Sequence, residues 1–264
     1  MTTTTNASKQ SANWDRVAAS MPDFSTAPST AYYRNREIAL IERAVGPLAG
    51  KKVLKLDLWN EAINTRILGW MSEEGADAVG LDLSHVVVRR ARQNAAREHF
   101  GIEILNADMR HMPFRDETFD VVYTMGTLEH IAEYRHTMRE IHRVMKRGGV
   151  AVIGVPNFWD PFLRPLLVAV LEMLDRYPYA PEKSFTRAEL KRDVEAAGLE
   201  VRAMTGILAL PGVLRMLDLF LHVRKGLSPR WTEWFIKPFD RAEARFGWLD
   251  RIGYLVTAIA TKPS

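Results

Sequence analysis

The chain has 264 residues, 47% apolar and 26% charged, enough for one sizeable core and for one α/β domain with appendages. With no cysteine it has no disulfide framework, thiolate nucleophile or cysteine-ligated metal, and it suits a reducing cytoplasm. The net charge of +4 is scattered along amphipathic segments beside Asp and Glu rather than gathered in a Lys/Arg run, so nucleic acid is not an expected partner.

The start, MTTTTNASKQSANW, lacks a basic segment followed by an apolar core, and residues 1–29 are expected to form a frayed tail. From Thr30 to Val45, Tyr33, Ile38, Ile41 and Val45 recur at near-helical spacing, with Ser29 or Thr30 as N-cap and Gly46-Pro47 as a stop. Lys51–Leu58 reads as a first strand and Ala62–Met71 as a helix with Ile63, Ile67, Leu68 and Met71 on its inner face. Ala76–Leu81 is a second strand, and Ser84 caps a long helix to about Phe100.

Ile102–Asn106 and Phe119–Tyr123 are short apolar strands, the latter buried on both faces beyond its acid. Tyr134–Met145 is helical and is expected to end at Lys146-Arg147-Gly148-Gly149 with a glycine C-cap. Val150–Val155 is strand five. From Phe158 the chain turns aromatic, prolyl and helix-forming; Thr186 caps Arg187–Ala197, and Leu199–Thr205 is a sixth strand. Pro211–Val223 and Pro229–Phe246 are helical, and Ile252–Thr261 is the last strand.

Strands alternating with helices predict a doubly wound, mostly parallel seven-stranded α/β sheet with helices on both faces, one domain over 30–264, and helical insertions at about 158–197 and 211–248. Such sheets bind ligands outside the carboxyl ends of their strands. The polar residues ending the strands here, Asp57, Asp82, Asp108 and Thr124, are therefore expected along one edge. Asp82 lies about 25 residues beyond the first strand, the spacing of an acid that holds ribose hydroxyls. Where such a unit carries its glycine-rich turn, this chain reads Asp57-Leu58-Trp59-Asn60-Glu61.

Four stretches in order, VGLDLS, NADMRHMPF, FDVVYTMGTLEHI and EIHRVMKRGGVAVIGVPN, resemble blocks of the class I S-adenosylmethionine-dependent methyltransferases. The resemblance implies S-adenosylmethionine as cofactor, a Rossmann-like methyltransferase fold with a helical lid, and Asp82 on the ribose. It implies Asp108 on the adenine amino group, with the Met109 amide reading the ring. Asn60, Leu83, Thr124, Met125 and Gly126 become further candidate cofactor contacts. Against that family's first block, Lys55 stands at the acid and Asp57, Trp59 and Glu61 at the glycines. Asp57 and Glu61 either pair with the cofactor's ammonium, or Asp57 caps the next helix and Glu61 is a solvated first-turn acid. Lys55 either snorkels outward or partners a nearby acid.

His130 is a candidate general base, or else a structural histidine, and Glu129 comes after it as a candidate, or else only faces solvent. The spacing of His111, His136 and His142 gives no metal site, and neither a phosphate loop nor a nucleophile elbow occurs. The expected function is methyl transfer to a small acceptor; the alternatives are a scaffolding protein without cofactor and an enzyme using the sulfonium for another reaction. Phe158–Leu174 and Pro211–Val223 are apolar on nearly every side, with Arg215, His222, Arg224, Lys225, Arg230 and Lys237 interleaved to meet anionic head groups. Trp231, Trp234, Phe235 and Phe239 share a helical face. These features point to an apolar or lipid-like acceptor and a cytoplasmic protein with peripheral membrane contact.

Overall fold

The structure is a computed structural model that describes residues 2–177, 179, 181–225 and 229–264. Seven strands form one sheet in the order β3-β2-β1-β4-β5-β7-β6. β1 (Lys52–Leu56), β2 (Asp77–Asp82), β3 (Ile102–Asn106), β4 (Phe119–Met125) and β5 (Met145–Pro156) run parallel, while β7 (Leu255–Thr261) lies antiparallel between β5 and β6 (Glu200–Ile207).

Alternate residues of each strand point to opposite faces. Val53, Val121 and Tyr123 therefore pack with Leu40 and Ile41 of α2 (Pro28–Val45), Ile63 of α3 (Trp59–Ile63), Ile67 and Leu68 of α4 (Ile67–Glu73), and Val87 and Ala91 of α5 (His85–Glu98). Leu54, Leu56, Val122 and Ile153 pack on the other face with Met138 and Ile141 of α6 (Tyr134–Val144) and Leu190 and Val194 of α8 (Arg187–Ala196). Each such fully buried side chain stabilises by about 1.5–3 kcal/mol. Ser84 caps α5 by accepting from the Val87 amide at 3.1 Å and Thr186 caps α8, both as expected, and Glu189 closes a capping box with Thr186.

The structure departs from the sequence reading in several places. Residues 2–20, expected as part of a frayed tail, form helix α1 (Thr2–Ser20). Ser11 Oγ donates to the Leu83 carbonyl at 3.0 Å, Asp15 accepts from the Val86 amide at 3.0 Å, and Arg90 donates to the carbonyls of Ala18 and Met21. α2 starts on Pro28 at its first turn, with Ala27 rather than Ser29 or Thr30 at the N-cap.

The helix expected over Ala62–Met71 is broken into α3 and α4. The Asn60 carbonyl accepts from both Asn64 and Arg66, Arg66 takes a left-handed φ of 55°, and Glu61 Oε1 accepts from the Leu68 amide at 2.8 Å to start the second piece. Lys146–Gly149 is not a helical C-cap: Met145 is already extended, and these residues open β5, with Lys146 held by Asp120. β4 runs two residues beyond Tyr123, pairing Thr124 with Ile153 and Met125 with Gly154.

Beyond β5 come α7 (Arg164–Met173), α8, α9 (Gly212–Lys225) and α10 (Pro229–Arg245). Arg215 and His222 do not point outward to meet head groups. Arg215 donates to Ser29 Oγ and Asn64 Oδ1, each at 3.0 Å, and His222 lies 3.0 Å from Thr26 Oγ1. Lys237 pairs with Glu233. The shared face of α10 is split, Phe239 packing on the core and Trp234 being 72% exposed. The side chains of Arg224, Lys225, Arg230 and Trp231 lie outside the described residues.

Candidate functional site

Outside the carboxyl ends of the strands lies a cavity of about 510 Å³. Its floor comes from the residues that follow each parallel strand: Asp57 and Asn60 after β1, Asp82 and Leu83 after β2, Asp108 and Met109 after β3, and Met125, Gly126 and Thr127 from β4 onward. The topology gathers these positions because the strand order reverses between β1 and β4.

The turn after β1 is built around a buried ion cluster. The two-residue period puts Lys55 on the Val53 face, under α2 and α3, and its side chain is fully buried. The ammonium donates to Asp57 Oδ1 and to the Asp57 carbonyl, both at 2.9 Å, and pairs with Glu61 Oε2 at 3.2 Å. Snorkelling is thus corrected to pairing, because helices cover that face. Burial pulls the Lys55 pKa down, but Asp57 and Glu61 outweigh it and the net shift is upward.

Asp57 has φ of 101°, a backbone conformation that favours glycine, so the turn keeps a glycine-like geometry without glycine. Two bonds from Lys55 and one from Thr127 Oγ1, at 2.8 Å, hold it there. It is not a helix cap, since α3 begins after Leu58 with no side-chain cap. Glu61 is not solvated: it is 3% exposed, locked between Lys55 and the Leu68 amide, and away from the cavity wall. Glu37 of α2 completes the cluster, accepting from Thr65 at 2.7 Å and Tyr123 at 2.9 Å; burial pushes its pKa up to about 7.

Asp82 is half-buried and accepts from the Leu58 amide at 2.9 Å and the Ser84 amide at 2.8 Å. Burial outweighs these bonds and raises its pKa to about 7. Asp108 is gripped by Arg110, whose Nη2 lies 2.7 Å from Oδ2; burial opposes this, but Arg110 wins and the pKa falls below the usual carboxylate range. Asn60 bonds Glu37 and Asn64. Thr124 does not reach the cavity: it is fully buried inside β4, which runs on to Met125.

Past β4 a one-turn helix, Leu128–His130, carries Glu129 and His130 into the cavity wall. His130 stacks edge-on against Trp14 at 5.1 Å, with Nδ1 3.3 Å from the Pro181 carbonyl. Glu129 does not face solvent; it is 6% exposed, and burial raises its pKa well above the usual carboxylate range.

A family model described as a methyltransferase domain matches residues 62–153, the stretch from α3 to β5 that supplies most of this floor. Over that stretch the chain is a methyltransferase domain, and it is similar to the class I S-adenosylmethionine-dependent methyltransferases. This methyltransferase is 26% identical over 177 residues to a ubiquinone biosynthesis O-methyltransferase of Acinetobacter baylyi, covering 63% of this chain and 71% of that one. It is 27% identical over 168 residues to the same-named protein of Aeromonas salmonicida, covering 61% and 68%.

Among solved structures it resembles an S-adenosylmethionine-dependent methyltransferase of Mesorhizobium loti, with a TM-score of 0.56, 17% identity and coverage of 86% and 97%. It also resembles magnesium protoporphyrin IX methyltransferase of Synechocystis with bound SAH, at a TM-score of 0.56, 13% identity and coverage of 86% and 80%. At those identities the likeness is one of fold.

Sequence reasoning missed several residues of the methyltransferase's cavity. Gln10 and Trp14 come from α1; Trp14 packs 5.9 Å from Trp59, and Tyr179 sits 6.0 Å from Trp59, so the three rings close one side. The signal was a lone tryptophan in a polar segment. At the far end Arg164 binds Glu182, which also accepts from the Tyr177 hydroxyl, and Arg164 lies over the Tyr254 ring at 4.5 Å. No local pattern joins residues that far apart.

Proposed function

We propose that this methyltransferase binds S-adenosylmethionine along the strand ends and methylates an apolar, lipid-like acceptor that enters between α7 and α9. The donor set suits the cofactor. Asp82 is a half-buried carboxylate in the cavity floor for a ribose diol, Leu83, Val87 and Met109 offer apolar walls for a base, and Asp57 is an acid for an ammonium. The Met125–Thr127 turn, with Gly126 at φ 73°, allows close backbone approach. Glu61 acts only through Lys55. Asp108, committed to Arg110, borders the adenine end. His130 serves as a wall between Trp14 and Pro181 rather than as the base.

When bound, the cofactor supplies a methyl group on a positively charged sulfur. The chain supplies alignment and the exclusion of water, the two requirements of an in-line displacement. Trp14, Trp59 and Tyr179 shield the cavity from one side, and the apolar residues of α7 and α9 shield it from the other.

The observation that carries the acceptor class is the polarity of α9. Its polar side chains Arg215, Asp218 and His222 face the protein, Asp218 being 2% exposed and accepting from the Ser29 amide at 2.9 Å. Its apolar side chains face out: Val213 is 66% exposed and Met216 59%, and both also line the cavity. α7 does the same, with Leu166 61% and Met173 78% exposed while Leu167 and Leu171 line the cavity. Two helices apolar toward both the cavity and the surroundings suit an apolar compartment that delivers the acceptor. The curated relatives, named for ubiquinone biosynthesis, are compatible with such an acceptor. Among the described residues no helix is long and apolar enough to cross a membrane, so the contact is peripheral.

Because Arg215 and His222 of α9 are bound internally, the proposed membrane contact rests on apolar insertion rather than on these side chains. The protein is expected to co-sediment with neutral and with anionic phospholipid vesicles alike. The double variant Met173→Asp/Leu217→Asp, which charges one exposed side chain on α7 and another, Leu217 at 45% exposure, on α9, should bind at least ~10-fold more weakly, each side chain losing about 1.5–3 kcal/mol of burial. A protein that stays in the supernatant with both vesicle types would leave a water-soluble acceptor instead.

A further inference from the structure

We infer that Glu129 is the catalytic base of this site, so that the acceptor atom is the oxygen of a protonated hydroxyl, phenolic or enolic in class. This inference rests on the methyl-transfer reading above. The carboxyls around it already have partners within the protein: Asp57 has Lys55, Asp82 two amides, Asp108 Arg110 and Glu182 Arg164, and the first two are assigned above to the cofactor. Glu129 differs. Its Oε2 is buried and has no partner among the described residues, although it stands in a cavity wall.

An unsatisfied buried acceptor costs about 1–3 kcal/mol, and its persistence points to a ligand that satisfies it. Its place fits a proton acceptor. It follows the Gly126 turn at the cofactor end and feels Arg164 and Glu182 from the acceptor end, Asp57 from the turn after β1, and Tyr254 from before β7. Arg164 does not neutralise it, being occupied by Glu182 and the Tyr254 ring.

The step balances as follows. The acceptor oxygen forms the new bond to the methyl carbon, the carbon–sulfur bond breaks with its electron pair going to sulfur, and the hydroxyl proton passes to Glu129 Oε2. The products are a methyl ether, S-adenosylhomocysteine and a neutral Glu129, which returns its proton to water between turnovers. Burial already favours the neutral form, so activity should fall with decreasing pH through an apparent pKa above that of ordinary carboxylates.

The test uses Glu129→Gln, which keeps shape and removes the base. S-adenosylhomocysteine should bind variant and wild type with affinities within ~2-fold by calorimetry. With that ligand present, para-octylphenol should bind the variant at least ~10-fold more weakly, whereas octylbenzene, which has no hydroxyl, should bind both alike. Methylation of para-octylphenol should drop ~10²–10⁴-fold. Methylation of para-octylthiophenol, already ionised at mildly alkaline pH, should change far less.

Equal losses on the phenol and the thiophenol, or no loss on the phenol, would overturn the base. So would wild type that binds S-adenosylhomocysteine yet leaves the phenol untouched. Absence of S-adenosylhomocysteine binding would instead sink the cofactor reading beneath it.

Discussion

Lys55→Met is expected to cost the fold about 3–5 kcal/mol, because it strands Asp57 and Glu61 as buried charges with no counter-ion. Methionine matches the stem of lysine in length, so packing beside Val53 and Tyr123 survives and the loss is electrostatic. The effect should appear as a lower urea midpoint at unchanged slope. Adding Asp57→Asn and Glu61→Gln should recover more than half of it, since a neutral cluster has no charge left unpaired. A loss below about 1 kcal/mol, or triple and single variants equally unstable, would mean that the turn does not depend on this ion cluster.

The second large effect belongs to Glu37. Its pKa is pushed up to about 7 from an unfolded value of 4.5, so between those values the folded state holds a proton that the unfolded chain lacks. The stability it contributes is fully present below the unfolded pKa and is lost as pH rises through about 7. Glu37→Gln mimics the neutral form and should lack this dependence. From acidic to mildly alkaline pH, the variant's stability should gain on wild type by about 3 kcal/mol. A difference between the two that stays constant with pH would contradict it.

The frame of the molecule was legible because its rules are local. Apolar runs ending in Asp82 and Asn106, the Ser84 cap and the Thr186–Glu189 box each need only a few neighbouring residues. The site was less legible because long-range bonds decide it. Asp15 holds the start of α5 across 71 residues, which turns an expected tail into a wall of the cavity. The break between α3 and α4 follows from where the Asn60 carbonyl and the Glu61 side chain find partners, not from a helix-breaking residue.

One open alternative could have been closed and one error avoided. Lys55 alternates in phase with Val53, so a sheet covered on both faces had to bury it. Thr124 still has a partner across β5, so the strand end lay further on. The burial of Glu129 had no such signal, since the residues that come to lie near it, Arg164 and Glu182 among them, are far along the chain.

Titration calorimetry with S-adenosylhomocysteine tests most directly whether the strand-end cavity is a cofactor site. Wild type should bind one equivalent, saturating below about 1 mM, and Asp82→Ala, still folded, should bind ~5–150-fold more weakly, the equivalent of about 1–3 kcal/mol. No heat of binding to wild type at millimolar ligand, or an unchanged affinity in Asp82→Ala, would contradict it.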